Sequence, residues 1–185
     1  MKSAFLPLSL CVLSLPGMLA QCWEKPDDKW TEMAARRVMT DSPWAKQSAS
    51  PRVIVRWESA APVVHARRVV KLTPLEGDGV AVYRISIAGL APDAGGSATA
   101  SLRYSGGEAV NMSRVRVMKD ADGSTLAVFE FPRAEGVRDP GLLRVLPFGI
   151  RLRANEFRFA ATVGPAQVRQ IFDLRQMICR RELAL

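Results

Sequence analysis

The sequence predicts a mainly β protein, an antiparallel β-sandwich preceded by an amphipathic helix. Short runs rich in valine, isoleucine and phenylalanine recur between residues 52 and 178, with turn signals between them. One polar segment near the start instead carries apolar residues at helical spacing. The chain has 185 residues, 48% of them hydrophobic and 24% charged, which suits one globular domain with its own core.

The first twenty residues, "MKSAFLPLSLCVLSLPGMLA", have the order of a secretory signal. Lys2 is followed by an apolar run from Ala4 to Leu15, which is too short to cross a bilayer. A helix-breaking Pro16-Gly17 pair and the triplet "MLA" then precede Gln21. We therefore expect residues 1–20 to be removed and the protein to be exported: periplasmic, outer-membrane-associated or secreted.

Residues 21–50 are expected to form a helical segment and a linker. Within them, residues 27–40 predict an amphipathic helix capped by Asp27 or Asp28. The residues expected on its apolar face are Trp30, Met33, Ala34 and Val38.

The stretch "DSPWAKQ" follows this helix. Ser42 suits an N-cap and Pro43 the first helical position, so a further short helical turn is predicted there, carrying Trp44. Two roles are open for Trp44. The favoured one is to wedge the helical segment onto the rest of the fold, and the alternative is an exposed ligand contact that stacks on a sugar.

Residues 51–185 are expected to form the sandwich, with six or seven strands in an immunoglobulin-like arrangement. Strand patterns occupy residues 52–57, 80–90 and 99–104, and residues 148–164 hold one or two more. Residues 113–132 predict a hairpin turning at Asp122-Gly123. The ambiguous segments are 59–72, as helix or extended chain, 165–178, as strand or helix, and 137–147, as a loop or irregular crossing.

The cysteines leave three alternatives open. Cys11 would leave with the signal, so Cys22 and Cys179 remain near the two ends of the mature chain. In an oxidising compartment they could form a disulfide. Because "LAQC" is similar to a bacterial lipobox, Cys22 could instead carry a lipid, with Gln21 where a small residue is usual. The third alternative is two unrelated thiols.

The formal net charge is +8, and arginine supplies most of the 26 basic residues. Arginine binds carboxylate and phosphate groups well. However, Arg114 and Arg116 alternate with valines, and Arg158 separates Phe157 from Phe159. A further pair, Arg151 and Arg153, flanks Leu152. This alternation predicts the solvated face of half-buried strands rather than a dedicated binding patch.

No catalytic, cofactor-binding or metal site is predicted. The single histidine, His65, lies among apolar neighbours and is interpreted as structural, and too few Cys and His remain for a usual structural zinc site. "DADG" at residues 120–123 lacks the calcium-loop spacing. A nucleophile elbow, a phosphate-binding loop and a dinucleotide fingerprint are all missing from the sequence.

Three blocks of the chain resemble small exported proteins of acidobacterial genomes. The first is "KWTEMAARRVMTDSPWAK" (29–46), the second "RVIVRWESAAPVVHA" (52–66), and the third "EFRFAATVGPAQVRQIFDLRQMI" with "ELAL". At the end of the third block those proteins tend to have tyrosine where this chain has Ile178-Cys179. No activity is assigned to that group, so the resemblance implies a bacterial cell-envelope setting and no site residues.

Together these patterns predict a non-enzymatic binding or assembly module of the cell envelope. One alternative is a hydrolase of envelope or plant polymers that uses carboxylates the sequence does not locate. Another is arginine-mediated adhesion to anionic glycans. The expected partners are envelope proteins or anionic polymers. Nucleic acid is not expected, nor is a membrane contact except through a lipid on Cys22.

Overall fold

A computed structural model gives the structure of most of the chain. It describes residues 29–48, 53–72, 82–92, 97–104, 109–120, 123–133, 143–146, 149–152, 155–179 and 182–184, with the single residues Leu75 and Ala94. The predicted signal, residues 1–20, and Cys22 lie outside this part. The prediction of a mainly β fold is confirmed, since the described strands form antiparallel sheets with few helices.

Two sheets make up the body of the fold. The first has five strands in the order β1-β2-β3-β7-β6: β1 (Ala45–Gln47), β2 (Ile54–Trp57), β3 (Val82–Leu90), β6 (Arg114–Lys119) and β7 (Thr125–Pro132). The second has four strands in the order β11-β10-β4-β5: β4 (Ala98–Tyr104), β5 (Ala109–Asn111), β10 (Glu156–Val163) and β11 (Ala166–Asp173). Two hairpins complete the described strands: β8 (Leu143–Leu146) with β9 (Gly149–Leu152), and β12 (Ile178–Cys179) with β13 (Glu182–Leu183).

An aromatic core joins the two sheets face to face. Trp57 of β2 lies 5.1 Å from Phe157 of β10 and 5.3 Å from Phe172 of β11, measured between ring centroids. Farther along, Phe129 of β7 contacts Phe159 of β10 at 5.8 Å. Tilted and edge-to-face pairs of this kind are favourable beyond the apolar area they bury. The inner faces of both sheets therefore share one core.

The two sheets differ in how far their outer faces are buried. Along β3 and β7 nearly every residue is buried, on both faces of the strand. Along β10 buried residues alternate with more exposed ones, so that only its inner face is covered. The central strands of the five-stranded sheet are thus enclosed, whereas the four-stranded sheet presents one face to solvent.

Two short helices, α1 (Glu32–Thr40) and α2 (Ala61–Val69), pack on each other, and α1 also packs on β1 and β2. The N-cap of α1 is Thr31, whose Oγ1 accepts a hydrogen bond from the backbone N–H of Ala34 at 3.2 Å. The cap is therefore not Asp27 or Asp28, which lie outside the described residues.

The predicted apolar face of α1 is partly wrong. The helix buries Ala35, Val38 and Met39, while 79% of the Met33 surface is exposed. Ala35, Val38 and Met39 also follow three- and four-residue spacing, but they form a face that is rotated about the helix axis from the predicted one. Ala34, which is predicted on the apolar face, is exposed, whereas the next residue, Ala35, is fully buried. The contacts of α1 with α2, β1 and β2 therefore decide which face is covered.

The predicted helical turn at "SPWA" is a tight turn into a strand. Ser42 and Ala45 exchange both backbone hydrogen bonds, at 2.9 and 3.2 Å. The Ser42 hydroxyl donates to the carbonyl of Val38 and accepts from the backbone N–H of Trp44. Such local side-chain bonds favour turns over helix. β1 follows directly, so the predicted linker begins with a strand of the main sheet.

Trp44 joins the two ends of the described chain. Its ring is 1% exposed, and its indole N–H donates to the backbone carbonyl of Ala184 at 2.6 Å. Its own carbonyl accepts from the N–H of Trp57 at 2.7 Å. Trp44 is thereby part of the core, which is the favoured of the two roles considered for it. A ligand contact through Trp44 stays a prediction that would require the ring to be uncovered.

The remaining elements resolve the ambiguous segments. Residues 59–72 contain α2, and residues 165–178 contain β11 rather than a helix. The hairpin at Asp122-Gly123 is confirmed as β6–β7, with Gly123 at φ +80°, a conformation that favours glycine. Residues 137–147, expected as a loop, contribute β8.

We expect Trp44→Ala to lower the free energy of unfolding by about 3–5 kcal/mol, because it deletes a large buried ring. Trp44→Phe keeps a ring but leaves the Ala184 carbonyl without its donor, and should cost about 1–3 kcal/mol. Urea unfolding measures both, with the exposed Met33→Ala as the neutral control. Equal stability of all three variants would contradict the role given to Trp44.

Candidate functional site

The outer face of the four-stranded sheet carries a shallow depression. We name the outward side chains of β4, β5, β10 and β11 the polar face. The depression has a volume of about 480 Å³, and the residues around it are Thr99, Ala100, Ser101, Asn111, Ala160, Ala161, Thr162, Gln167, Val168 and Arg169. Most of the side chains there are small or carry a hydroxyl or amide group.

Strand register explains the concave shape. Ala160 on β10 lies opposite Ser101 on β4 and Arg169 on β11. One step along the same face, Thr162 lies opposite Thr99 and Gln167. Because outward positions recur every second residue, these side chains form two adjacent rows across the sheet. Short side chains on the central strands leave room between the longer ones on β11.

Three arginines project from the same face. Arg158 on β10 lies directly opposite Arg103 on β4. Arg169 on β11 lies opposite Ala160, two residues along β10 from Arg158. Arg158 forms an ion pair with Glu156 at 2.6 Å. Arg103 and Arg169 are exposed, and neither has a carboxylate partner among the described residues. Because Arg158 and Arg103 are like charges directly opposite each other, an anion bound beside Arg103 would offset their repulsion, as Glu156 does at Arg158.

The residues around the depression can donate and accept hydrogen bonds, since they include hydroxyls, amides and one guanidinium group. Two carboxylates of the polar face, Glu156 and Asp173, lie directly opposite each other at one end of β10 and β11. In the described part of the chain, no three His, Cys, Asp or Glu side chains come together as metal ligands would.

A second polar feature lies on the five-stranded sheet and is buried. Glu58, just after β2, is enclosed completely and accepts a hydrogen bond from the Ser86 hydroxyl at 2.6 Å. It also pairs with Arg56 at 3.2 Å and with Arg67 of α2 at 3.3 Å. Arg56 donates to the carbonyl of Met39 at the end of α1. This group, the Glu58 cluster, therefore fixes both helices to the sheet.

Glu130 of β7 forms a neighbouring ion cluster on the same face. It pairs with Arg84 at 3.2 Å and with Arg116 at 3.1 Å. Only 20% of the Arg116 side chain is exposed, while 43% of Val117 is exposed. The predicted alternation of solvent-facing arginine and inward valine on β6 is therefore wrong at these two positions. For β10 the alternation holds, since Arg158 is exposed between buried Phe157 and Phe159.

These buried clusters are structural rather than ligand sites. Their charged groups already satisfy each other, and breaking a buried pair is costly because it leaves one charge without a partner. The sequence gives no signal for the burial of Glu58, which depends on contacts with α2 and β3. The polar face could have been found from the small residues at every second position of β4 and β10.

His65, the single histidine, lies away from the polar face. His65 on α2 packs edge-to-face on Trp30, with ring centroids 4.6 Å apart. Cys22 lies outside the described residues, and only the backbone of Cys179, in β12, is described. A disulfide between them, a lipid on Cys22 and two unrelated thiols therefore all remain predictions.

Comparisons of this chain with protein-family models, curated proteins and solved structures find no match. Among the residues described by the structure, no helix has the length and apolar character that a membrane crossing requires.

We expect Glu58→Gln to destabilise the fold by about 3–5 kcal/mol, since Arg56 and Arg67 would keep their charges in a buried setting without the carboxylate. Denaturant unfolding is the measurement. Glu32→Gln is the matched control, because Glu32 forms an exposed pair with Arg36 on the surface of α1. Wild-type stability of Glu58→Gln would show that the Glu58 cluster does not hold the helices.

Proposed function

We propose that this protein is an exported, non-enzymatic binding module of the cell envelope, which uses the polar face as its ligand surface. The observation that carries the proposal is the contrast between the two sheets. The central strands β2, β3 and β7 of the five-stranded sheet are buried on both faces, whereas the four-stranded sheet exposes a concave face of small polar side chains and arginines. Concave surfaces with a few convergent polar groups are typical of binding sites.

We propose further that the fold is an immunoglobulin-like sandwich. The strand order supports this, because β2-β3-β7-β6 and β11-β10-β4-β5 correspond to strands A-B-E-D and G-F-C-C′ in sequence order. In this interpretation β1 is an addition beside strand A. The polar face is then the outer surface of the sheet formed by G, F, C and C′.

Export is supported by the sequence of residues 1–20, with its lysine, apolar run and cleavage region. A binding role is supported by the hydroxyl and amide groups around the depression, which can form hydrogen bonds to a ligand. An exported protein of this kind would meet polymers and proteins of the envelope before any cytoplasmic ligand.

Filling the depression should abolish ligand binding. Thr162→Trp places a large ring on the floor of the polar face, and we expect at least a tenfold loss of co-sedimentation with envelope material from the host. Met33→Trp adds an equally large ring on the exposed side of α1 and should leave binding unchanged. Equal sedimentation of Thr162→Trp and wild type would place the ligand elsewhere, and a wild type that never sediments would contradict the binding function.

Export is tested by the intact mass of the protein purified from its own host. We expect a mature chain that lacks residues 1–20. A mass starting at Gln21 that gains two protons on reduction would assign the disulfide, and a lipid on Cys22 with Gln21 removed would assign the anchor. A full-length chain starting at Met1 in the cytoplasmic fraction would contradict export.

A further inference from the structure

We propose that the ligand of the polar face is an anionic polysaccharide, one whose sugars carry carboxylate groups, bound by Arg103, Arg158 and Arg169. This inference rests on the proposed binding function and names its ligand. Three features carry it: the placement of the three guanidinium groups, the small polar floor beside them, and the absence of aromatic side chains among the outward residues described on these strands.

The register sets the spacing of the positive charges. Arg158 and Arg103 are directly opposite, so their Cβ atoms lie roughly 5 Å apart. Arg169 lies on the neighbouring strand β11, two residues farther along than Arg158. Two strand spacings and two residues of strand rise separate it from Arg103, which gives a distance of roughly 12 Å. The three arginines therefore cross the sheet diagonally. A charged chain lying along this diagonal would meet one guanidinium group after another.

The electrostatics of the face favour an anion. Glu156 and Asp173, the acidic residues at one end, are already paired with Arg158 and Arg175. Arg103 and Arg169 have no such partner within the described residues, and both are exposed. A guanidinium group can donate two parallel hydrogen bonds to one carboxylate, which fixes the orientation of the ligand as well as attracting it.

The floor beside the arginines favours a polysaccharide over other polyanions. Ser101, Thr99 and Thr162 offer hydroxyls, and Asn111 and Gln167 offer amides, which match the hydroxyl groups of sugars. Single-stranded nucleic acids rely on aromatic side chains for base stacking, and the described outward residues of these strands provide none. Without such a ring a neutral sugar would be held by hydrogen bonds alone, so carboxylates are needed for affinity.

The test is a binding assay of the mature protein on immobilised polygalacturonate, with neutral dextran and single-stranded DNA in parallel. We expect retention on polygalacturonate in low salt, a loss of at least tenfold in R103Q/R169Q, and no retention on dextran. The matched control is R37Q/R68Q, which removes two exposed arginines from α1 and α2 and should bind as wild type. Retention should also fall steeply between 0.05 and 0.5 M salt, because exposed charges are screened over shorter distances.

Each other outcome has a definite meaning. If both double variants lose retention equally, binding follows overall charge and the site assignment is wrong. If DNA is retained with the same dependence on Arg103 and Arg169, the ligand is a polyanion without sugar specificity and the polysaccharide is wrong. If polygalacturonate is not retained while Thr162→Trp still blocks sedimentation with envelope material, this inference fails and the proposed function stands. If neither is bound, both fail.

Discussion

The aromatic packing around Trp57 is the contact on which the rest of the structure depends. Its ring meets Tyr83 of the same sheet and Phe157 and Phe172 of the other, so one side chain links both inner faces. Once each sheet has buried its inner face in this core, the two outer faces of the described strands differ in how far they are covered. All functional assignment follows from how those outer faces are used.

The chain uses its polar residues differently on the two sides. On the five-stranded sheet, Glu58 and Glu130 draw arginines into buried ion clusters, and the Glu58 cluster attaches both helices. Buried charges of this kind are stable only when fully paired. On the four-stranded sheet, Arg103 and Arg169 remain exposed above small side chains. Arginine thus stabilises the fold on the five-stranded sheet and is available to bind a ligand on the four-stranded sheet.

Local patterns predicted the elements whose structure is decided locally. Strict alternation identified β10, and Asp122-Gly123 identified the turn between β6 and β7. Distant contacts decided the rest: Trp44 binds Ala184 and Glu58 binds Arg67, and neither pairing leaves a periodic signal. On α1 the spacing predicts Met33 and Ala34 on the apolar face, but packing against α2, β1 and β2 covers Ala35, Val38 and Met39 instead. Trp30, just before α1, does pack against the core. The polar face needed strand register, which joins β4 to β10 across more than fifty residues.

The central claim is that the uncovered face of the four-stranded sheet is the ligand surface. Its most direct test is an NMR titration of isotope-labelled protein with oligogalacturonate, following every backbone amide. The account predicts shift changes grouped on the outward positions of β4, β5, β10 and β11, around Ser101, Ala160 and Arg169. Changes centred on α1 and α2, or none at saturating ligand, would contradict it.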